Sequence, residues 1–208
     1  ELDVSSFHPV SATSTIGMFQ LNPKLKKIKL NNFDTSKVVN MDSMFAHNPE
    51  LVDLDVTSLK TGKVTNFSNM FRNDNKLKVL DVSNFDTSSG KSFSSMFINC
   101  FELKELNVKD WNMSNAQNLY AMFLAMFYNM SSVEELDVKN WDVSNAKIFQ
   151  SMFTDCKSLK KLELNEWNTS KVTDMRSMFA NTTGIEKIEV SNWNTESVTM
   201  MDRMFEKT

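Results

Sequence analysis

The sequence predicts an α/β solenoid, with a parallel sheet on one side, short helices on the other and one coil for each unit of a sequence repeat. Three observations predict it. A Met-Phe pair recurs at 18/19, 44/45, 70/71, 96/97, 122/123, 152/153, 178/179 and 204/205, with every interval 26 except one of 30. Leu25, Leu51, Leu77, Leu103, Val133, Leu159 and Ile185 keep the same spacing, each opening a stretch of the form L-x-x-L-x-V. Between these two marks the hydrophobic period changes from that of a strand to that of a helix.

The strand half comes first. Alternation in triplets such as Leu80-Asp81-Val82 marks a short strand with one buried face. Three residues later stands a large apolar side chain: Phe7, Phe33, Leu59, Phe85, Trp111, Trp141, Trp167 or Trp193. All four Trp occupy this one position, which reads as an internal aromatic ladder between coils and not as a sugar-stacking platform. The second half opens on polar patches such as Asp34-Thr35-Ser36, suited to capping a helix start. Val38, Met41, Met44 and Phe45 then fall at offsets 0, 3, 6 and 7, one face of a short amphipathic helix. An Asn or Asp two positions after the Met-Phe pair, as at Asn73, Asn99, Asp155 and Asn181, would end it in the left-handed conformation.

No single unit can cover its apolar residues, so stacked units must form one core. The crossover is expected to be right-handed. The unit length also suits a leucine-rich repeat, with Phe or Trp where the Asn or Cys of that repeat would sit. One domain is expected over 1–208: a partial unit at 1–24, then units opening at 25, 51, 77, 103, 133, 159 and 185. Mid-pattern ends suggest a piece of a longer chain. Four residues are extra in the unit holding Leu124, Ala125, Met126 and Phe127. They read as one added helical turn, either a contact site or, the preferred reading, an insertion tolerated at an edge.

Composition narrows the function. Net charge is −3, with no polybasic block, so nothing points to nucleic acid or an anionic membrane. The longest strongly apolar run, 119–128, is about half a membrane span. Gly is only 4 of 208 residues, which disfavours phosphate-cradling loops. The two His have no repeated carboxylate or nucleophile partner, and no zincin, redox, nucleophile-elbow or P-loop motif is present. No enzyme, metal or cofactor is therefore expected. The 15 Met read as core filler. Cys100 and Cys156, two coils apart, read as free thiols too distant to bridge.

The candidate binding residues form one column. Asp55, Asp81, Asn107, Asp137, Glu163 and Glu189, preceded by Asp3 and Lys29, occupy the outward strand position. Stacked at about 4.8 Å, they could hold a cation or a basic ligand. The preferred reading is a solvated face, neutralised by lysines such as Lys78, Lys104 and Lys160.

The unit L-K-x-L-D-V-S-N-W-D-T-S-x-V-T-x-M-x-x-M-F, as in 77–97 and 159–179, resembles the BspA-like leucine-rich-repeat surface proteins of bacteria. That repeat is also associated with mycoplasma lipoproteins. The resemblance spans nearly the whole chain. It implies an extracellular or cell-surface protein that engages a host or neighbouring-cell macromolecule, with a protein the expected partner. It transfers no ligand and leaves the oligomeric state open. The competing expectation is a structural spacer without a ligand of its own.

Overall fold

The computed structural model describes residues 1–124 and 136–208. Its regular elements are brief: β1 (Leu2–Asp3), β2 (Lys27–Lys29), β3 (Asp53–Leu54), β4 (Lys161–Glu163) and β5 (Lys187–Glu189). Strands β1, β2 and β3 form one parallel sheet, and β4 with β5 a second. Pairing is in register with the repeat, Ile28 opposite Leu54 and Leu162 opposite Ile188. A further bridge, Val79 to Glu105, continues this side between the two sheets.

A second ladder runs through the other half of every unit. Parallel bridges link Ser14, Asn40, Asn66, Ser92, Asn118, Ile148, Asp174 and Met200 in succession. Each step is one ordinary repeat period except that from Asn118 to Ile148, which absorbs the four-residue excess.

This second ladder corrects the expected fold. Among the described residues there is no helix, only short strands in two small sheets, so the α/β solenoid with a helical side is not what this chain forms. The amides that a helix would bond back along its own chain are used sideways. Met41, Ser43, Phe45 and His47 donate to the carbonyls of Asn66, Ser68, Met70 and Arg72 in the next unit. Met44 and Ala46 between them close tight turns onto Met41 and Ser43. Left-handed residues recur within each run, at Ser43 and His47, Asn69 and Asn73, Ser151 and Asp155, and Ser177 and Asn181. Two such residues within five are incompatible with a right-handed helix. The polar patch caps a turn instead: the Asp34 carboxylate accepts the Ser36 amide, and Thr35 reaches across to the Lys60 carbonyl.

Spacing explains the choice. Paired strands lie about 4.8 Å apart, whereas packed helices need about 8–10 Å. The turn half of every unit is laddered to its neighbours, and the strand half carries β1–β5 and the Val79–Glu105 bridge, so the stack has no room for one helix per unit. The ring centroids of successive units confirm the tight step, at 5.7 Å for Phe45–Phe71 and 5.8 Å for Phe71–Phe97.

The inward residues are nonetheless those the pattern selects. Val38, Met41, Met44 and Phe45 are fully buried, as are Leu77, Met96, Leu159 and Met178. Aromatic columns run along the core. Phe19, Phe45, Phe71, Phe97 and Phe123 stack in turn, and Phe123, Phe153, Phe179 and Phe205 continue the column. Trp111, Trp141, Trp167 and Trp193 stack at 6.3–6.4 Å. Each indole N–H donates to a carbonyl one unit back, at Val82, Val108, Val138 or Leu164. The Trp column is therefore internal, with its polar edge satisfied. Cys100 and Cys156 are buried and form no disulfide with each other.

Candidate functional site

Short parallel strands place alternate side chains outward, so each unit contributes one or two residues to a common face. The strand column lies on it. Asp55, Asp81, Asn107 and Asp137 are exposed or nearly so, and Glu163 and Glu189 are half-buried. The adjoining outward position carries Lys27, Asp53, Val79, Glu105, Lys161 and Lys187, and Val79 is 70% exposed.

The carboxylates are engaged in two ways. Asp55 accepts both the amide and the hydroxyl of Thr57, and Asp81 does the same for Ser83. These bonds, the hydroxyl contribution foremost, hold both carboxyls below the usual range. The like charge of Asp81 opposes the shift at Asp55 but is the smallest influence there. Hydrogen bonding thus outweighs the repulsion of stacking. At the two ends of the face, lysines take over. Lys27 pairs with Asp53, Lys29 with Glu1 and Asp3, Lys161 with Glu163, and Lys187 with Glu189. The Lys161 contact is the chief cause of the lowered Glu163 carboxyl.

The face is shallowly grooved. One depression of about 260 Å³ is lined by Leu136, Asp137, Lys139, Lys161 and Glu163. Another, of about 280 Å³, lies over β2 and β3 between Lys29, Asp53 and Asp55. The predicted column is thus split: Lys29 and Asp55 border one groove, Asp137 and Glu163 the other. Among the described residues, no three His, Cys, Asp or Glu side chains converge as metal ligands would. No helix among them is long and apolar enough to cross a membrane.

Of the predicted insertion, Leu124 is half-buried and occupies an ordinary ladder place, its carbonyl accepting the Asn99 amide. Ala125, Met126 and Phe127 lie outside the described residues.

Sequence reasoning missed a further depression, on the turn side. Leu21, Pro23, His47, Pro49, Asn73 and Asn75 surround about 430 Å³. Within it the Asn73 amide donates to His47 Nδ1, and Asn99 donates in turn to Asn73. Burial, helped by Arg72, lowers the His47 pKa and favours the neutral ring that can accept. The signal was present in Asn73 and Asn99, two positions after their Met-Phe pairs, but it reads first as a helix terminator.

The family model "Mycoplasma protein of unknown function, DUF285" matches residues 13–125 and again 123–208. The two matches meet in the unit that carries the four extra residues. No curated protein and no solved structure matches the chain.

Proposed function

The chain belongs to this family of Mycoplasma proteins, and from that premise we propose that it is a non-catalytic binding module at the cell surface, engaging a host or neighbouring-cell protein through its strand face. The observation that carries the reading is the face itself. It repeats in register wherever strands pair along it, yet each unit writes its own residue on it: Lys27, Asp53, Val79, Glu105, Lys161 and Lys187 at one position alone. The buried Met-Phe columns repeat one residue type because packing demands it. The outward position is released from that demand, so its variation is available for recognition. The resemblance of the repeat unit to BspA-like surface proteins supports an extracellular location and an adhesive role.

The spacer reading draws on the regular laddering, which would suit a stalk. Cell binding separates the two. Fluorescently labelled chain is expected to bind host cells saturably. The triple substitution Asp55→Lys, Asp81→Lys and Asp137→Lys is expected to reduce that binding at least about tenfold, with little effect on melting, as exposed charges contribute little to stability. Binding unchanged by the triple substitution would remove the face from the proposal, and no saturable binding would favour the spacer.

A further inference from the structure

Inside the turn side, one position after the left-handed residue of most units, runs a polar column that includes Asn22, Asn48, Asp74, Cys100 and Cys156. From Asn48 on, these four are fully buried. Three of them share one habit: the side chain donates to the Phe carbonyl of the preceding unit. Asn48 Nδ2 donates to Phe19 at 3.0 Å, Cys100 Sγ to Phe71 at 3.1 Å and Cys156 Sγ to Phe123 at 3.1 Å. The column also bonds along itself, the Asn22 amide to Asn48 Oδ1 and the Asn48 amide to Asp74 Oδ1, both at 2.9 Å.

Asp74 breaks the pattern. Its Oδ1 does what Asn48 Oδ1 does, but its Oδ2, in the place of the amide nitrogen, is buried with no hydrogen-bond partner. The Phe carbonyl that the register assigns to it, 29 positions back as for Asn48 and Cys100, is that of Phe45. That carbonyl accepts from Asn48 Nδ2 in its own unit and keeps a second lone pair. Two oxygens without a hydrogen between them repel, and an unpaired buried charge is costly.

We propose that Asp74 is a protonated carboxylic acid in the folded chain and acts as an acid-set latch between two units, its Oδ2 hydroxyl donating to the Phe45 carbonyl. The proton completes the column as an Asn amide would. Burial pushes the Asp74 carboxyl up to about 9, against the smaller opposing effect of the Asn48 amide. The charged groups nearby do not reverse this. Arg72 donates to Asn69 through Nη1 while its buried Nε has no partner, Lys76 pairs with Glu50 in the preceding unit, and Lys78 pairs with Glu102 in the following one. The other titratable neighbours are His47, which accepts from Asn73, and the Cys100 thiol, pushed up by burial and by Asp74 itself.

The sign of the linkage follows. The unfolded chain releases this proton near the ordinary value of 3.8 and the folded chain near 9, so stability is greatest below the first value and falls as pH rises between the two. Asp74→Asn supplies a permanent donor and removes the titration. Urea unfolding of the full chain from pH 5 to 8.5 tests this. The variant's unfolding constant is expected to be about a hundredfold or more below wild type at pH 7.5, with the ratio changing up to about tenfold per pH unit. An infrared carboxyl C=O band that persists in the folded wild type at pH 7.5, where exposed carboxyls have ionised, tests the proton directly and does not depend on the variant folding. A ratio independent of pH, or absence of that band, would overturn the latch.

Discussion

The strand face and the Phe column repeat with the same period, yet they treat substitution in opposite ways. At the outward strand position successive units carry Lys29, Asp55, Asp81, Asn107, Asp137, Glu163 and Glu189. In the Phe column every unit carries the same residue, from Phe19 to Phe205. Register is common to both, so register cannot be what restricts the sequence. Burial is. A ring in the column is clasped by the rings of the units on either side, Phe71 by Phe45 at 5.7 Å and by Phe97 at 5.8 Å. A carboxylate on the strand face meets water and one local Ser, Thr or Lys. The interior therefore fixes the stack, and the face is free to carry whatever the partner requires.

The contrast is broken hardest from the interior. Phe71→Ala would leave a cavity between two rings that are held by their own ladders and cannot collapse onto it. A loss of about 3–5 kcal/mol is expected, read from the urea midpoint. The Phe71 carbonyl, which accepts from Cys100 and from the Asp74 amide, would lose its fixed position as well. A loss under about 1 kcal/mol, at the level of a surface change, would mean that the column is not the core of the stack.

Much of this contrast was legible in the residues, but the backbone was not. Val38, Met41, Met44 and Phe45 point inward as the offsets say, because tight turns and a helix both return such offsets to one side. The same offsets therefore selected the right core and the wrong element. What decided between them was Ser43 in the left-handed region, a residue type that does not announce that conformation; the left-handed place that His47 shares with Asn73 and Asn99 was expected, but as a helix end. The deciding cause is non-local: amides at Met41, Ser43 and Phe45 find their acceptors in the next unit. The outward column was found from alternation alone, whereas its division between Asx-type turns at Asp55 and Asp81 and lysine pairs at Glu163 and Glu189 depends on which side chains meet in space. Asp74 was overlooked because a lone Asp among Asn, Cys and Thr at one repeat position looks like ordinary polar variation.

A smaller effect tests the buried hydroxyls that tie one unit to the next. Thr87 is 1% exposed, and its hydroxyl donates to the Asn112 carbonyl at 3.0 Å, as Thr35, Thr61 and Thr169 do to their own neighbours. Thr87→Val keeps the shape and removes the donor, leaving the Asn112 carbonyl one bond short. A loss of about 1–2 kcal/mol is expected, between the ring and the surface. Faster amide exchange near Asn112 would localise it. A variant as stable as wild type would show that water reaches this carbonyl.

The smallest effect comes from the face, and its pH dependence sets it apart from the interior. Asp81 accepts two bonds from Ser83, and its carboxyl is held below the usual range by them. Its folded pKa is thus depressed, so its contribution is present above the ordinary value of 3.8 and fades as pH falls through the folded value. The side chain is solvated, which limits the effect to about half a kcal/mol. Asp81→Ala should lower the urea midpoint slightly at pH 7, and the difference should close towards pH 3. For Asp74→Asn the difference opens in the other direction, growing as pH rises. Two aspartates one strand apart in sequence would then report opposite proton balances, one set by solvated hydrogen bonds and one by burial. If both differences moved the same way with pH, the distinction between a permissive face and a restrictive interior would fail at the residue type that tests it best.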